Sequence, residues 1–172
     1  NDVLVATVMS NLGLFLAAEE RGIRVIQTKV GDRYVLEEMI AGGHCIGGEQ
    51  SGHVIYLDYN TTGDGLLSAV MLLGVMVREG KKLSELSNII TILPQVVVNA
   101  KVKNENKAKF ADDPEISAVI EGLNQKFRGK GRVLIRPSGT EPLVRVMIEG
   151  QDIGEISREA NEIAAMIEQK FQ

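Results

Sequence analysis

Cys45 is the only cysteine in the 172 residues, so no disulfide can form within the chain, and a reducing compartment fits that usage. Long hydrophobic runs are missing too. The longest, Leu66 to Val77, is interrupted by Ser68 and Gly74 and is too short to span a bilayer; it reads as a buried helix. There is no excess of basic charge: the net value of −4 argues against a nucleic acid or an anionic membrane as the main partner. No internal repeat and no low-complexity tract is found. Metal-ligand spacing is absent, because Asp58, Asp64 and the pair Asp112 and Asp113 stand apart from one another and from further ligands. An initiator Met and a signal peptide are also lacking. The chain begins Asn1-Asp2 and runs almost at once into an apolar strand, whereas natural termini are usually looser, so it is expected to come from a longer protein.

What is present suits a folded domain. Hydrophobic residues make up 44% and charged residues 24%, a balance that excludes disorder and allows a core without metal or disulfide staples. Val3 to Val8 reads as a strand buried on both faces. Asn11 is placed to cap a helix from Leu12 to about Arg21, stopped by Gly22, with a second strand at Ile23 to Gln27; strand, helix and strand suggest a βαβ unit. Asp32 is expected to cap a helix from Arg33 to Ala41, ended by Gly42 and Gly43, with His44 in the loop beyond. Val54 to Leu57 is a strand. Gly63-Asp64-Gly65 opens a helix to about Glu79 whose methionines, Met71 to Met76, belong to the core. Ser84 opens a short helix to about Ile89. After Pro94 the character changes: strands at Gln95 to Val102, Arg132 to Arg136 and Leu143 to Glu149, a helix from Asp113 and Pro114 to about Phe127, and an amphipathic last helix from Ile153 to Phe171. The expected class is α/β, with an α/β domain over residues 1–90 and a small α+β domain with a mainly antiparallel sheet over residues 91–172.

Three segments carry chemistry. In Gly47-Gly48-Glu49-Gln50-Ser51-Gly52-His53, residues two apart in an extended chain share a side, so Glu49, Ser51 and His53 converge on one ligand. A carboxylate accepts from sugar hydroxyls, a serine does both, and an imidazole can move a proton or meet a phosphate. On spacing alone, a plain polar turn between two strands stays slightly ahead of a ligand site. In Arg136-Pro137-Ser138-Gly139-Thr140-Glu141-Pro142, with Arg145 beyond, a strand ends in a guanidinium, two hydroxyls and a glycine amide. That is the set a phosphate needs. It is not a Walker loop, since no Gly-Lys-Ser/Thr ending is followed by a helix; the plainer alternative is a hairpin turn with incidental charge. In Thr28-Lys29-Val30-Gly31-Asp32-Arg33, Lys29 follows a strand at the sheet edge where α/β ligands bind, or is simply a solvated lysine.

Gly48 to His53 resembles the sugar-recognition loop of the α-D-phosphohexomutase superfamily, and Arg136 to Pro142 resembles its C-terminal phosphate loop, in the right order and separation. The segment from Thr28 to Arg33 is similar to the stretch just upstream of the sugar loop. The wording of both loops looks most like the phosphoglucosamine mutase family. The resemblance implies a place from within the third of four domains, its N-terminal part missing, to the end of the fourth. It implies sugar contacts at Glu49, Ser51, Gly52, His53 and Lys29, with His53 and Lys29 as helpers in proton transfer or electrostatics, and phosphate contacts at Arg136, Ser138, Gly139, Thr140 and Arg145. It further implies interconversion of glucosamine 6-phosphate and glucosamine 1-phosphate through a phosphoserine and glucosamine 1,6-bisphosphate, in a cytoplasmic enzyme of amino-sugar and cell-wall precursor synthesis. That enzyme uses Mg2+ and allows a homodimer. The phosphoserine loop and the Asp-Gly-Asp-x-Asp-Arg magnesium loop are not in this sequence, so the chain alone is expected to be inactive. The alternatives are a phosphoglucomutase or phosphomannomutase of the same superfamily, and a phosphosugar-binding module without chemistry.

Overall fold

A computed structural model describes residues 2–172; Asn1 lies outside them. The chain divides into two units, one ending at Ile92 and one from Leu93 to Gln172.

In the first unit β1 (Val3–Thr7) leads through α1 (Leu12–Glu19) to β2 (Arg24–Thr28), and α2 (Asp32–Gly42) leads to β3 (Ile46–Gly48) and β4 (Val54–Tyr56). The sheet order is β2-β1-β3-β4. β1 pairs in parallel with both neighbours, and β3 and β4 form an antiparallel hairpin. The expected βαβ unit is therefore present. β1 is central because its residues can be buried on both faces: Val5, Ala6 and Thr7 are nearly inaccessible. The two crossovers run in opposite directions along the sheet, one from β1 to β2 and one from β2 back past β1 to β3, and right-handed connections then put α1 and α2 on opposite faces. Val35 and Met39 of α2 pack with Val5 and Ile55 in a small core.

Asn11 caps α1 as expected, its side chain accepting from Gly13 N–H at 3.0 Å. Asp32 does not cap α2. The cap position is Gly31, and Asp32 lies in the first turn, its carboxylate bonded only to the adjacent Arg33 N–H. The positive φ of Gly31, 128°, moves the chain's entry one residue earlier than an aspartate cap would. β3, three residues long and two of them glycine, has no range in the sequence reading, although the turn between two strands considered there requires it. One further expectation fails, on α3. α3 (Gly65–Glu79), capped by Asp64, has no buried residue. Leu66 and Val77 are each 83% exposed, so this apolar helix is not a core helix, and Met71 to Met76 are not core residues. Hydrophobicity had suggested full burial, but Leu67, Met71, Val75 and Met76 are only half-buried, and Leu66, Val70, Leu73 and Val77 are exposed. A short helix, α4 (Leu83–Leu86), and a 3-10 turn over Ser87–Ile89 close the unit.

The second unit is a three-stranded antiparallel sheet in the order β5-β7-β6, from β5 (Gln95–Lys101), β6 (Gly131–Pro137) and β7 (Leu143–Gly150). α5 (Pro114–Phe127) starts at the Asp113 cap and Pro114 the sequence suggested. α6 (Ile153–Phe171) turns Ile156, Ala160, Ile163, Ala164 and Ile167 into the core with Phe127, Val144, Val146 and Ile148. Each fully buried isoleucine stabilises the unit by roughly 1.5–3 kcal/mol relative to exposure. The fold class is the expected α/β followed by a small antiparallel α+β unit.

Candidate functional site

Ligands in open α/β sheets bind outside the carboxyl ends of the strands where the strand order reverses. Here that point lies between β1 and β3, and the chain leaving β3 there is Glu49 to His53. The segment is not extended. Gly52 N–H donates to the Glu49 carbonyl at 3.0 Å, and Glu49 N–H to the His53 carbonyl at 3.0 Å, so it is a tight turn inside the β3–β4 hairpin. Gly52 has φ 101°, a conformation side chains disfavour, and a Cβ on Gly48 would come within 2.7 Å of the His53 carbonyl oxygen.

The turn still brings together the three side chains singled out by spacing, though by folding back rather than by strand alternation. Ser51 Oγ donates to Glu49 Oε1 at 2.5 Å. His53 Nδ1 lies 3.0 Å from Ser51 Oγ and 3.1 Å from Glu49 Oε1. Since the carboxylate only accepts, its bond with the imidazole requires the proton on Nδ1. This is not a nucleophile–base–acid relay, because hydroxyl and imidazole both end on the same carboxylate oxygen. The Glu49 side chain is 9% exposed and that of His53 56%. The Ser51 hydroxyl, ahead of His53, holds the Glu49 carboxyl below its usual range against the opposing effect of burial, and Gly31 N–H adds a further bond. Gly31 is how the segment from Thr28 to Arg33 reaches this turn. Lys29 itself sits with Nζ 5.9 Å from the centre of the Tyr34 ring.

Two supports were not legible in the sequence. Gln50 accepts from the buried Thr7 hydroxyl of β1 at 3.1 Å, pinning the turn to the central strand. The loop before α3 backs onto the imidazole, since a Cβ on Gly63 would lie 3.1 Å from His53 Cβ. His44, expected in a loop, is in one, but it is buried and its Nδ1 has no hydrogen-bond partner.

In the second unit Arg136 of β6 stands opposite Arg145 of β7. Burial first, and the like charge of Arg145 second, lower the Arg136 pKa from its ordinary value. Arg145 is partly neutralised by Glu141, Nη2 to Oε2 at 2.6 Å. Ser138 is buried: its N–H donates to the Leu143 carbonyl at 2.9 Å and its Oγ accepts from Glu141 N–H at 3.1 Å. Gly139 and Thr140 are exposed, and a Cβ on Gly139 would touch nothing within 4 Å. The loop between β6 and β7 thus offers two guanidiniums and open backbone to an anion. Among the described residues no group of three or more His, Cys, Asp or Glu side chains could hold a metal ion, and no helix is long and apolar enough to cross a membrane.

Comparison with known proteins gives a consistent set of relatives. Residues 1–92 match the family described as phosphoglucomutase/phosphomannomutase, alpha/beta/alpha domain III, and residues 97–166 match the phosphoglucomutase/phosphomannomutase C-terminal domain. The chain is 61% identical over 171 residues to the phosphoglucosamine mutase of Alkaliphilus oremlandii and 60% identical over 171 residues to that of Caldanaerobacter subterraneus. In each case 99% of the chain is covered, but only 38% of the relative, so the chain spans well under half the length of these curated proteins. Among solved structures, Aspergillus fumigatus N-acetylphosphoglucosamine mutase superposes with a TM-score of 0.79 at 18% identity, covering 99% of this chain and 39% of that one. A phosphoglucomutase/phosphomannomutase family protein of Burkholderia thailandensis gives 0.69 at 19%, covering 99% and 38%. At such identities these two show the fold.

Proposed function

Because the chain belongs to the phosphoglucomutase/phosphomannomutase family, we propose that it is the substrate-holding portion of a phosphoglucosamine mutase, an isomerase that interconverts glucosamine 6-phosphate and glucosamine 1-phosphate. The observation that carries this reading is the closed triangle of Glu49, Ser51 and His53 at the carboxyl end of the parallel strands. The identity of about 60% to phosphoglucosamine mutases favours the amino sugar over glucose or mannose.

The chain's own residues bind and orient. Glu49 and Ser51 exchange their mutual bond for bonds to neighbouring sugar hydroxyls, which suits a sugar that must be held in two orientations. His53, with Lys29, tunes charge or moves a proton, and the Gly52 backbone lets the sugar approach. Arg136 and Arg145, with Ser138, the Gly139 amide and Thr140, take the phosphate that is not reacting. The phosphoserine that would give glucosamine 1,6-bisphosphate, and the Mg2+ that would assist it, belong to sequence this chain does not contain. A cytoplasmic enzyme, with a homodimer as its assembly, is part of the same proposal.

The test uses the longer enzyme. Glu49→Ala should lower kcat/KM for glucosamine 6-phosphate by roughly 10²-fold, a few kcal/mol of charge-assisted bonding, with little change in thermal midpoint. The 172-residue chain alone should show no turnover with Mg2+ and a bisphosphate activator. Faster turnover of glucose or mannose phosphates would overturn the amino-sugar assignment. Retained activity with lowered stability in Glu49→Ala would reduce the turn to a structural one.

A further inference from the structure

Lys107 lies in the polar connector after β5, far in sequence from the phosphate loop, and nothing in its neighbourhood of the sequence marks it. In the structure its Nζ donates to the carbonyl oxygen of Ser138 at 2.7 Å. Among the described residues no carboxylate lies within ion-pair distance of it. The connector touches the same loop once more, through Val102 N–H to the Pro142 carbonyl at 3.0 Å. The loop is therefore tied at both ends to a segment that the sequence alone gives no reason to associate with it.

The bond to Ser138 has a geometric consequence. No peptide bond among the described residues is cis, and in a trans peptide the carbonyl and the following N–H point in opposite directions. A Ser138 carbonyl aimed at Lys107 therefore aims the Gly139 N–H away from Lys107, and no hydrogen bond among the described residues takes that N–H. Nothing else fixes that plane from the Gly139 side. Gly139 has no side chain, its φ is not in the left-handed region, and a Cβ there would meet no atom within 4 Å. A peptide preceding glycine in open space turns over at little steric cost. If it turned, it would present a carbonyl oxygen, not an N–H, to an arriving anion.

Building on the phosphate-loop reading, we infer that Lys107 is a positioning residue for phosphate binding: its ammonium holds the Ser138–Gly139 peptide with the Gly139 N–H presented to the anion. It acts through the backbone of the loop. Lysine suits the task, because a compact ammonium on a flexible stem can reach a single carbonyl oxygen.

The test is a titration of the 172-residue chain with inorganic phosphate, followed by 1H–15N NMR, on the unaltered chain, Lys107→Met and Lys107→Arg. The unaltered chain should show a saturable shift of the Gly139 amide. Lys107→Met should bind about tenfold more weakly, the loss of roughly one oriented hydrogen bond, and at saturation should show a diminished Gly139 shift. Lys107→Arg should restore most of both. No binding at this loop in the unaltered chain would sink the phosphate-loop reading and this inference with it. Normal binding and an unchanged Gly139 shift in Lys107→Met would overturn this inference alone. Weaker binding with the saturated Gly139 shift intact would also overturn it, leaving Lys107 only a distant charge. Loss of the folded spectrum in Lys107→Met would count against it too, because the ammonium would then be a determinant of the fold.

Discussion

The two candidate loops solve opposite electrostatic problems. In the turn from Glu49 to His53 the single charge is already satisfied: Ser51 and His53 both bond to the Glu49 carboxylate, and its pKa is lowered accordingly. In the loop after β6 two like charges face each other across a strand pair, and burial with Arg145 lowers the pKa of Arg136. On the proposed function, a sugar arriving at the first loop would exchange bonds one for one, with a small net gain, and a phosphate arriving at the second would relieve repulsion and complete guanidinium pairs, with a large one. The difference suggests a division of labour, affinity from the anion site and orientation from the sugar turn.

The largest effect should break that contrast from the phosphate side. Arg136→Ala in the 172-residue chain should weaken inorganic phosphate binding by about 10²-fold, the loss of a charge-assisted bidentate pair, as read by amide shifts of Ser138, Gly139 and Thr140. Its thermal midpoint should hold or rise slightly, because a repulsion with Arg145 is removed. Arg136→Lys should fall between, since a point charge cannot reproduce the fork. Phosphate shifts that persist in Arg136→Ala would erase the distinction between the loops.

A smaller effect should sharpen it from the sugar side. The Glu49 carboxyl, followed by carbon-detected NMR, should titrate below the ordinary glutamate range, and Ser51→Ala should move it back up, since the Ser51 bond is the largest cause of the shift. The sign follows from linkage: a carboxyl with a lowered folded-state pKa adds stability that is full above its unfolded pKa and is lost as pH falls through the folded value. Order in the turn should therefore be complete at neutral pH and fade only in acid. A Glu49 pKa at or above the usual value would mean that its carboxylate is not held as described.

The smallest expected effect concerns the units rather than the loops. Val77 of α3 is 83% exposed, whereas Ile163 of α6 is buried. Val77→Ser should change the stability of this chain by no more than about 0.5 kcal/mol, measured by chemical denaturation. A larger loss would show that the apolar stripe of α3 is covered in solution, by association of chains if the loss depends on concentration.

The sequence by itself determined much of the architecture. Caps at Asn11 and Asp113, the period of α6 and the turn glycines are local signals, and local signals suffice for element type because hydrogen bonding and side-chain period act over a few residues. It also located both loops, since Glu49, Ser51, His53, Arg136 and Arg145 bear chemistry legible in their residue types. Hydrophobicity failed for α3 because an apolar run says what prefers to be covered, not whether anything in the same chain covers it. Tertiary structure alone decided how the chemistry is held. Gln50 meets Thr7 from 43 residues away, and Lys107 meets the Ser138 carbonyl from 31 away. The turn at Glu49 converges by a left-handed glycine rather than by strand alternation. These contacts depend on strand order and on the path of a connector, and no pattern along the chain encodes them, because each joins segments brought close only by the packing of everything between.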